Sequence, residues 1–539
     1  MRVVTCKEMK QIEVESIQEF GFSETLIIEN VGINASSFLH ESILKERNYN
    51  ELVFLIGKGN NGADGFAIAR HLKRMGYLVR AFSFDAEEDC TDELKRQKHL
   101  AQRFGVRISH INNIEQLSDY FNHAQESYFV VDAIFGTGIR FPLPELFLEV
   151  IEVANRNAEI MVSVDTPSGL NGDQGTFSGK AIQADCTLSI GLPKLGHYLG
   201  HGPELTGKIH NIDAGFPEEP VNGGDKFLLS IEDAGYITKI RDRFAHKNTF
   251  GSTLLIGGSL GFSGALAMAS TASLKVGTGL VTAMTWERNY QEFVSEAIPE
   301  VMKGFIPKDE AKWDSLIRRL SSFDSVVIGP GLGRSPQARR VVQNVLNNYN
   351  GPVVVDADAI NVLSLKEDKN LFALRKSPTL LTPHLGEFAR FLGLDVAKVR
   401  MNPFEYLKEM VSELNSAVIL KGPGSFLAFP SGNTFINYFP NPGLATGGSG
   451  DVLAGILGGL FSQDGSFTSK QLVYEDKEHR FEKAVCLGVL THTLAGRYAA
   501  DRLGERFMTA GSIIDAFPEV FNEFNRLKSL FGDLGRVKI

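Results

Sequence analysis

The stretch NPGLATGGSGDVLAGILGGL, residues 441–460, places a carboxylate, Asp451, directly behind the cluster Gly447-Gly448-Ser449-Gly450 and ahead of an apolar run of helical character. Glycines at a helix N-terminus offer a nest of backbone N–H groups that binds anions. The helix field there favours the ionised form of a carboxyl group. A carboxylate beside a phosphate-binding loop can take the proton of a hydroxyl while that hydroxyl attacks a phosphoryl group in the nest. The competing reading of Asp451 as a plain helix N-cap leaves the length of the glycine cluster without a purpose. Lys421-Gly422-Pro423-Gly424-Ser425 is a second glycine loop at a strand end, with Lys421 placed to meet a phosphate. His384 in TPHLGEF and the loop GPGLG (329–333) are placed to contact a second, larger ligand. The Walker A pattern does not occur in the sequence, so this is not a P-loop nucleotide site.

A second constellation lies in GKGNNGADG, residues 57–65. Gly57, Gly59 and Gly62 spell G-x-G-x-x-G after an apolar run, and Asp85 follows at about the distance a dinucleotide fingerprint requires. The bland reading is a strand–helix turn that needs the positive φ of glycine. Asn60, Asn61 and Asp64 argue against an ordinary NAD loop, because Asp64 would repel a pyrophosphate. Side-chain oxygens gathered in this way suit a metal cation or a ribose-like polyol better. Asp132, ahead of FGTGIRFP (135–142), and Asp165 and Ser168 in VDTPSG add further oxygens at neighbouring strand ends.

The elements that must position these groups are legible from their hydrophobic pattern. In the first half, the runs 51–57, 77–84, 128–136, 159–169 and 184–191 read as buried strands alternating with helices, preceded by about 50 helical residues. That alternation predicts a parallel sheet covered on both faces, with ligands beyond the carboxyl ends of its strands. In the second half, 251–258, 325–333, 352–361, 379–388 and 417–425 read as strands that run into Gly, Asp, His or Lys, and 263–284 as a small-residue helix followed by a strand. The Pro- and Gly-dense segment ending near 226 divides the two. The expected division is 1–218, a linker 219–226, and 227–539.

The bulk numbers bound the function. The 539 residues are 43% hydrophobic, enough for two large cores, and the formal net charge is −9 with no long basic run, which argues against nucleic acid. Four dispersed cysteines, Cys6, Cys90, Cys186 and Cys486, form neither a disulfide framework nor a C-x-x-C metal site. Neither a signal peptide nor a transmembrane run is readable, so a reducing cytoplasm is the expected compartment, with no membrane partner.

The motifs NPGLATGGSGDVLAG, TPHLGEF, KGPGS and GPGLG resemble those of the ribokinase-like NAD(P)H-hydrate dehydratases. ENVG (29–32), GKGNNGADG, VDAIFGTGIRFP and VDTPSGLNGDQG resemble those of the NAD(P)H-hydrate epimerases. The resemblance covers nearly the whole chain, in the order of the bifunctional enzymes. It implies a Rossmann-like three-layer α/β domain followed by a ribokinase-like α/β domain. The implied chemistry is epimerisation of the R and S hydrates of NADH and NADPH, and dehydration of the S form coupled to ADP (giving AMP and phosphate) or ATP. Asn60, Asn61, Gly62, Ala63, Asp64, the loop Gly136, Thr137, Gly138, Ile139, Arg140, Phe141, Pro142, and Asp165 match epimerase substrate positions. Asn61, Asp132 and Ser168 match its K⁺ ligands. Ala265, Gly333 (with Gly331 the neighbouring choice), His384 and Asp451 match hydrate-binding positions of the dehydratase. Lys421, Gly422, Pro423, Gly424, Ser425 and Gly450 match nucleotide-binding positions, with further contacts expected from 431–440. Asp451 and Asp165 are the expected catalytic groups, Mg²⁺ the expected companion of the nucleotide with Asp356 and Asp358 as helpers, and a homo-oligomer the expected assembly. The alternatives are a kinase of a small vitamin-like alcohol carrying a non-catalytic dinucleotide-binding module, and a dehydrogenase.

Overall fold

The computed structural model describes residues 1–539 apart from 48, 50, 85–89, 124–127, 232–243, 464–476 and 532–539. Asp85 therefore lies outside the described residues. The chain forms two compact units, Arg2–Lys226 and Phe227–Ile539, the second also counting Met1. The segment 219–226 carries most of a short helix, Glu218–Asn222.

In the first unit, seven parallel strands lie in the order Arg107–His110, Val79–Ser83, Leu52–Ile56, Tyr128–Ala133, Ala158–Val164, Cys186–Ile190, Lys208–Ile212. The chain enters at the third position, runs to one edge, then returns to pair Tyr128–Ala133 with Leu52–Ile56. The connections on the two sides of that pair leave in opposite directions, and a crevice opens there beyond the carboxyl ends. The residues that leave these two strands are Gly57 to Asp64 and Ile134 to Pro142. Topology alone thus brings the two oxygen-rich motifs together. Both faces of the sheet are covered by apolar side chains, one under the helices Glu24–Leu39 and Asn60–Arg74 and one under Ile114–His123 and Glu145–Asn157.

Glycine makes the helix Asn60–Arg74 sit close to the sheet. A Cβ on Gly57 would stand 1.9 Å from the Ile134 carbonyl oxygen, and one on Gly62 2.0 Å from that of Gly57. On Gly65 it would meet the Ala133 Cβ at 2.6 Å. The expectation of a turn needing positive φ is corrected here. Gly59 has φ −102°, and the demand is for missing volume where backbones cross.

The second unit repeats the logic. Parallel strands Met302–Ile306, Leu280–Trp286, Ser252–Ile256, Ser325–Ile328, Val353–Val355, Thr379–Leu381 and Ala417–Leu420 are followed by antiparallel Ser425–Ala428 and Thr434–Asn437, with Lys226–Leu228 at the edge. Its switch point lies between Ser252–Ile256 and Ser325–Ile328. The helices Ser263–Lys275 and Ser449–Gln463 are buried in its largest apolar cluster.

The strands missed by pattern reading include Arg107–His110, Lys208–Ile212 and Met302–Ile306, which carry polar, half-exposed residues. The first and last of these close one edge of each sheet, and Lys208–Ile212 the other edge of the first. An edge strand is recruited by its neighbour's free hydrogen bonds and needs no apolar run of its own. Among the described residues no helix is long and apolar enough to cross a membrane.

Candidate active sites

In the first unit the helix Asn60–Arg74 begins inside the glycine motif, so Asn60 and Asp64 stand one turn apart on a single face. Among the described residues, four buried atoms here have no hydrogen-bond partner: Asn60 Oδ1, both amide atoms of Asn61, and Asp64 Oδ1. Unpartnered buried polar atoms cost about 1–3 kcal/mol each, so a cluster of them is a site that expects a polar ligand. The Gly136–Pro142 loop faces it. A Cβ on Gly136 would lie 3.1 Å from Asp165 Oδ2 and 3.2 Å from Asn61 Oδ1, so both oxygens close on the same glycine.

Asp165 follows the strand Ala158–Val164 with φ +65°, a backbone region that non-glycine residues rarely enter and that costs about 1–3 kcal/mol. Its amide donates to the Leu188 carbonyl at 2.8 Å, and its Oδ1 is in an ion pair with the fully buried Lys194. Asp64 is pushed well above the usual carboxylate range, first by burial, then by the charges of Asp165 and Glu13, with Lys194 opposing. The site contains one carboxylate in an ion pair and one carboxyl group whose ionisation burial opposes.

Asp132 is fully buried, and burial raises its carboxyl against the pull of its hydrogen bonds. It accepts from Ser168 Oγ (2.6 Å), Ser168 N (2.8 Å), Ser163 Oγ (2.9 Å) and Ile134 N (3.2 Å). Among the described residues no cation pairs with it. A buried carboxyl group with no paired cation, and the orphaned oxygen of Asn61 at the head of the neighbouring helix, are donors of the kind a weakly held monovalent cation takes. Among the described residues no three His, Cys, Asp or Glu side chains are grouped as a transition metal would need.

In the second unit Gly447 and Gly448 lead into the helix Ser449–Gln463, with Gly448 at φ +92° and Asp451 in the first turn. The residues Gly447 to Gly450 are thus split between the approach and the helix itself. Lys421 directly follows the strand Ala417–Leu420, and a Cβ on Gly450 would stand 3.3 Å from its Nζ. Lys421 Nζ also donates to Asp356 Oδ1 at 2.9 Å, an oxygen that accepts from Thr382 Oγ1 at 2.6 Å. Asp451 is pushed up to about 7, first by burial and next by the charge of Asp356, while Lys421 opposes. A carboxyl group poised there exchanges a proton readily at neutral pH.

The loop Gly329–Gly333 turns on three positive-φ glycines, Gly329, Gly331 and Gly333. A Cβ on Gly331 would lie 3.2 Å from the Ala265 Cβ, which sets Ala265 against this loop. Gly333 donates its N–H to Asp358 Oδ2 at 2.9 Å, and Arg334 Nε pairs with Oδ1 at the same distance. Asp356 and Asp358 flank Ala357, whose φ of +47° turns the chain between them. Asp358 thus has both oxygens engaged, and Asp356 its Oδ1. His384 is the N-cap of the helix Leu385–Leu392. Its Nδ1 accepts from Gly386 N (3.0 Å) and Glu387 N (3.3 Å), which leaves the proton on Nε2 of an exposed ring. An isolated bridge to Lys421 holds His384 beside the loop Lys421–Ser425.

Three groups near the sites escape the sequence reading. Lys194 sits in SIGLPKLG, where an isolated lysine after a strand gives no sign that it is buried. Glu387 is visible in TPHLGEF, yet its burial beside Lys421 and Asp451 is a matter of packing. His492, from the helix Lys477–Leu503, reaches Ser449 Oγ at 3.1 Å and its carbonyl oxygen at 3.0 Å, supporting the first turn that carries Asp451.

Two α/β units, each with a ligand crevice at a switch point, define the class: a two-site α/β enzyme. Residues 253–519 match the NAD(P)H-hydrate dehydratase family, and residues 24–196 match the family described as the YjeF-related protein N-terminus. The chain is 34% identical over 536 residues to the bifunctional NAD(P)H-hydrate repair enzyme of Moorella thermoacetica, covering 96% of each. It is 32% identical over 469 residues to that of Escherichia coli, covering 87% of this chain and 84% of the other. Among solved structures, the ADP/ATP-dependent NAD(P)H-hydrate dehydratase from Bacillus subtilis is 26% identical, with a TM-score of 0.46 over 55% of this chain and 98% of that one. The chain belongs to the bifunctional NAD(P)H-hydrate repair enzymes, and has NAD(P)H-hydrate epimerase and dehydratase activities. The small-alcohol kinase and the dehydrogenase are not favoured.

Proposed function

We propose that residues 1–218 carry the epimerase and 227–539 the dehydratase, with Asp451 as the general base of dehydration. The carboxylate takes the proton of the C6 hydroxyl of the S hydrate. The hydroxyl oxygen attacks the terminal phosphoryl group of ADP, or of ATP, held by Lys421–Ser425 and Gly450, and AMP or ADP departs. The phosphate ester at C6 is a good leaving group. The ring nitrogen's lone pair expels it, and proton loss from the adjacent carbon restores the dihydropyridine. Ala265, Gly333 and His384 hold the hydrate in this reading. Mg²⁺ bound with the nucleotide would offset phosphate charge at this site. The observation that carries the proposal is the Asp451 carboxyl near 7 in the first turn behind Gly448, with the Lys421 ammonium beside Gly450. The test is Asp451→Asn. It should lower the dehydration rate by about 10³-fold or more, with epimerisation unchanged. A wild-type dehydration rate would overturn the assignment.

In the epimerase we assign substrate binding to Asn60–Asp64 and Gly136–Pro142, and acid–base work to Asp165. Asn61, Asp132 and Ser168 would hold K⁺, whose charge would compensate the buried Asp132. Replacing K⁺ by tetramethylammonium should slow epimerisation and leave dehydration of pure S hydrate within about twofold. Equal loss of both activities would argue against a cation confined to the first site.

A further inference from the structure

We propose that Lys194 is a positioning residue of the epimerase site: its ammonium fixes one oxygen of Asp165 so that the other faces the Gly136 loop. The inference rests on the assignment of Asp165 as acid–base group. The Lys194 side chain is 0% exposed, and burying an unpaired ammonium costs several kcal/mol. All three of its N–H donors have acceptors: Asp165 Oδ1, the Ile190 carbonyl at 2.8 Å and Ser189 Oγ at 3.4 Å. The loop that carries it is fixed as well. Val4 donates to the Pro193 carbonyl at 3.0 Å and accepts from Leu195 N at 2.8 Å.

The two oxygens of Asp165 are thereby made unequal. Oδ1 accepts from Lys194 and, at 3.3 Å, from Ile190 N. Among the described residues Oδ2 has no donor, and it lies 3.1 Å from where a Cβ on Gly136 would stand. One oxygen anchors and the other is presented to the ligand crevice. Asp165 needs such an anchor, because its φ of +65° is not one its own residue type prefers. The charges of Asp165 and Lys194 also act, in opposite senses, on the carboxyls of Asp64 and Glu13.

The experiment measures epimerisation kinetics of the full chain carrying Lys194→Met, Lys194→Ala, Asp165→Asn, or Lys194→Met with Asp165→Asn, with circular dichroism and hydrogen-exchange protection of the strands of the first unit as the control for folding. Lys194→Met should lower kcat for epimerisation by about 100-fold and change KM by less than about 3-fold. Ethylammonium should restore at least a tenth of the lost activity to Lys194→Ala, and tetramethylammonium, which has no N–H, should not. The double variant should be no slower than Asp165→Asn, since the lysine acts only through that carboxylate. A wild-type kcat in Lys194→Met, or a loss confined to KM, would overturn the inference. If Lys194→Met does not fold, Lys194→Ala decides: folded in ethylammonium but inactive, it refutes positioning. A wild-type rate in Asp165→Asn would instead remove the site assignment beneath it.

Discussion

At the scale of single residues, both sites work by setting carboxyl groups in unequal environments. Asp451 lies close to neutrality because burial and Asp356 oppose its ionisation more than Lys421 favours it. A general base acts in its ionised form, so kcat/KM for dehydration should fall as pH drops below about 7 and level off above it. Replacing Asp356 by Asn removes a negative neighbour, and this acid limb should move to lower pH; a pH–rate profile with pure S hydrate checks both. A limb that stays in place would mean that another group titrates. Asp165 is held through its Oδ1 by Lys194, and its assignment predicts that Asp165→Asn slows epimerisation by about 100-fold or more, measured by epimer separation.

At the scale of elements, the same strand–glycine–helix unit serves both chemistries with different contents. In the first unit the glycines remove volume so that the helix Asn60–Arg74 can rest on the sheet with its polar first turn at the crevice. Gly57→Ala should therefore destabilise the first unit by about 2 kcal/mol or more, since its Cβ would collide with backbone. At Gly59 a Cβ meets nothing within 4 Å and φ is already negative, so Gly59→Ala should cost no more than about 1 kcal/mol. Denaturant melts of the two variants make the comparison, and equal losses would refute the packing account. This distinction was not legible in the sequence. G-x-G-x-x-G shows that glycine is present, and only the approach of Ile134 to Gly57 shows what it is for.

At the scale of the whole molecule, each unit has its own sheet, its own cores and its own crevice. The assignment of one site to each unit predicts two separable activities. A mixture of Asp165→Asn and Asp451→Asn proteins should convert a mixed R/S hydrate preparation fully to NADH with ADP or ATP present, because the S epimer released by one is substrate for the other. The absorbance of reduced nicotinamide follows this directly. Conversion that stops when the original S epimer is exhausted would mean that the sites must share a chain.

The sequence by itself determined the two-part α/β organisation and most central strands, because strands buried on both faces must be apolar along their whole length. It also exposed the residues whose chemistry is local: the run Gly447–Asp451, the loop Lys421–Ser425, and the polar insertions Asn60, Asn61 and Asp64. Such motifs survive in one dimension because neighbouring backbone and side-chain groups build them together. Only the tertiary structure decided how groups distant in the chain share charge. Lys194 buried against Asp165, Asp356 against Lys421, and His492 under Ser449 are pairs that no spacing announces. The strength of an ion pair, and the proton a carboxyl keeps, depend on how completely water is excluded around it, and that exclusion belongs to the packed fold.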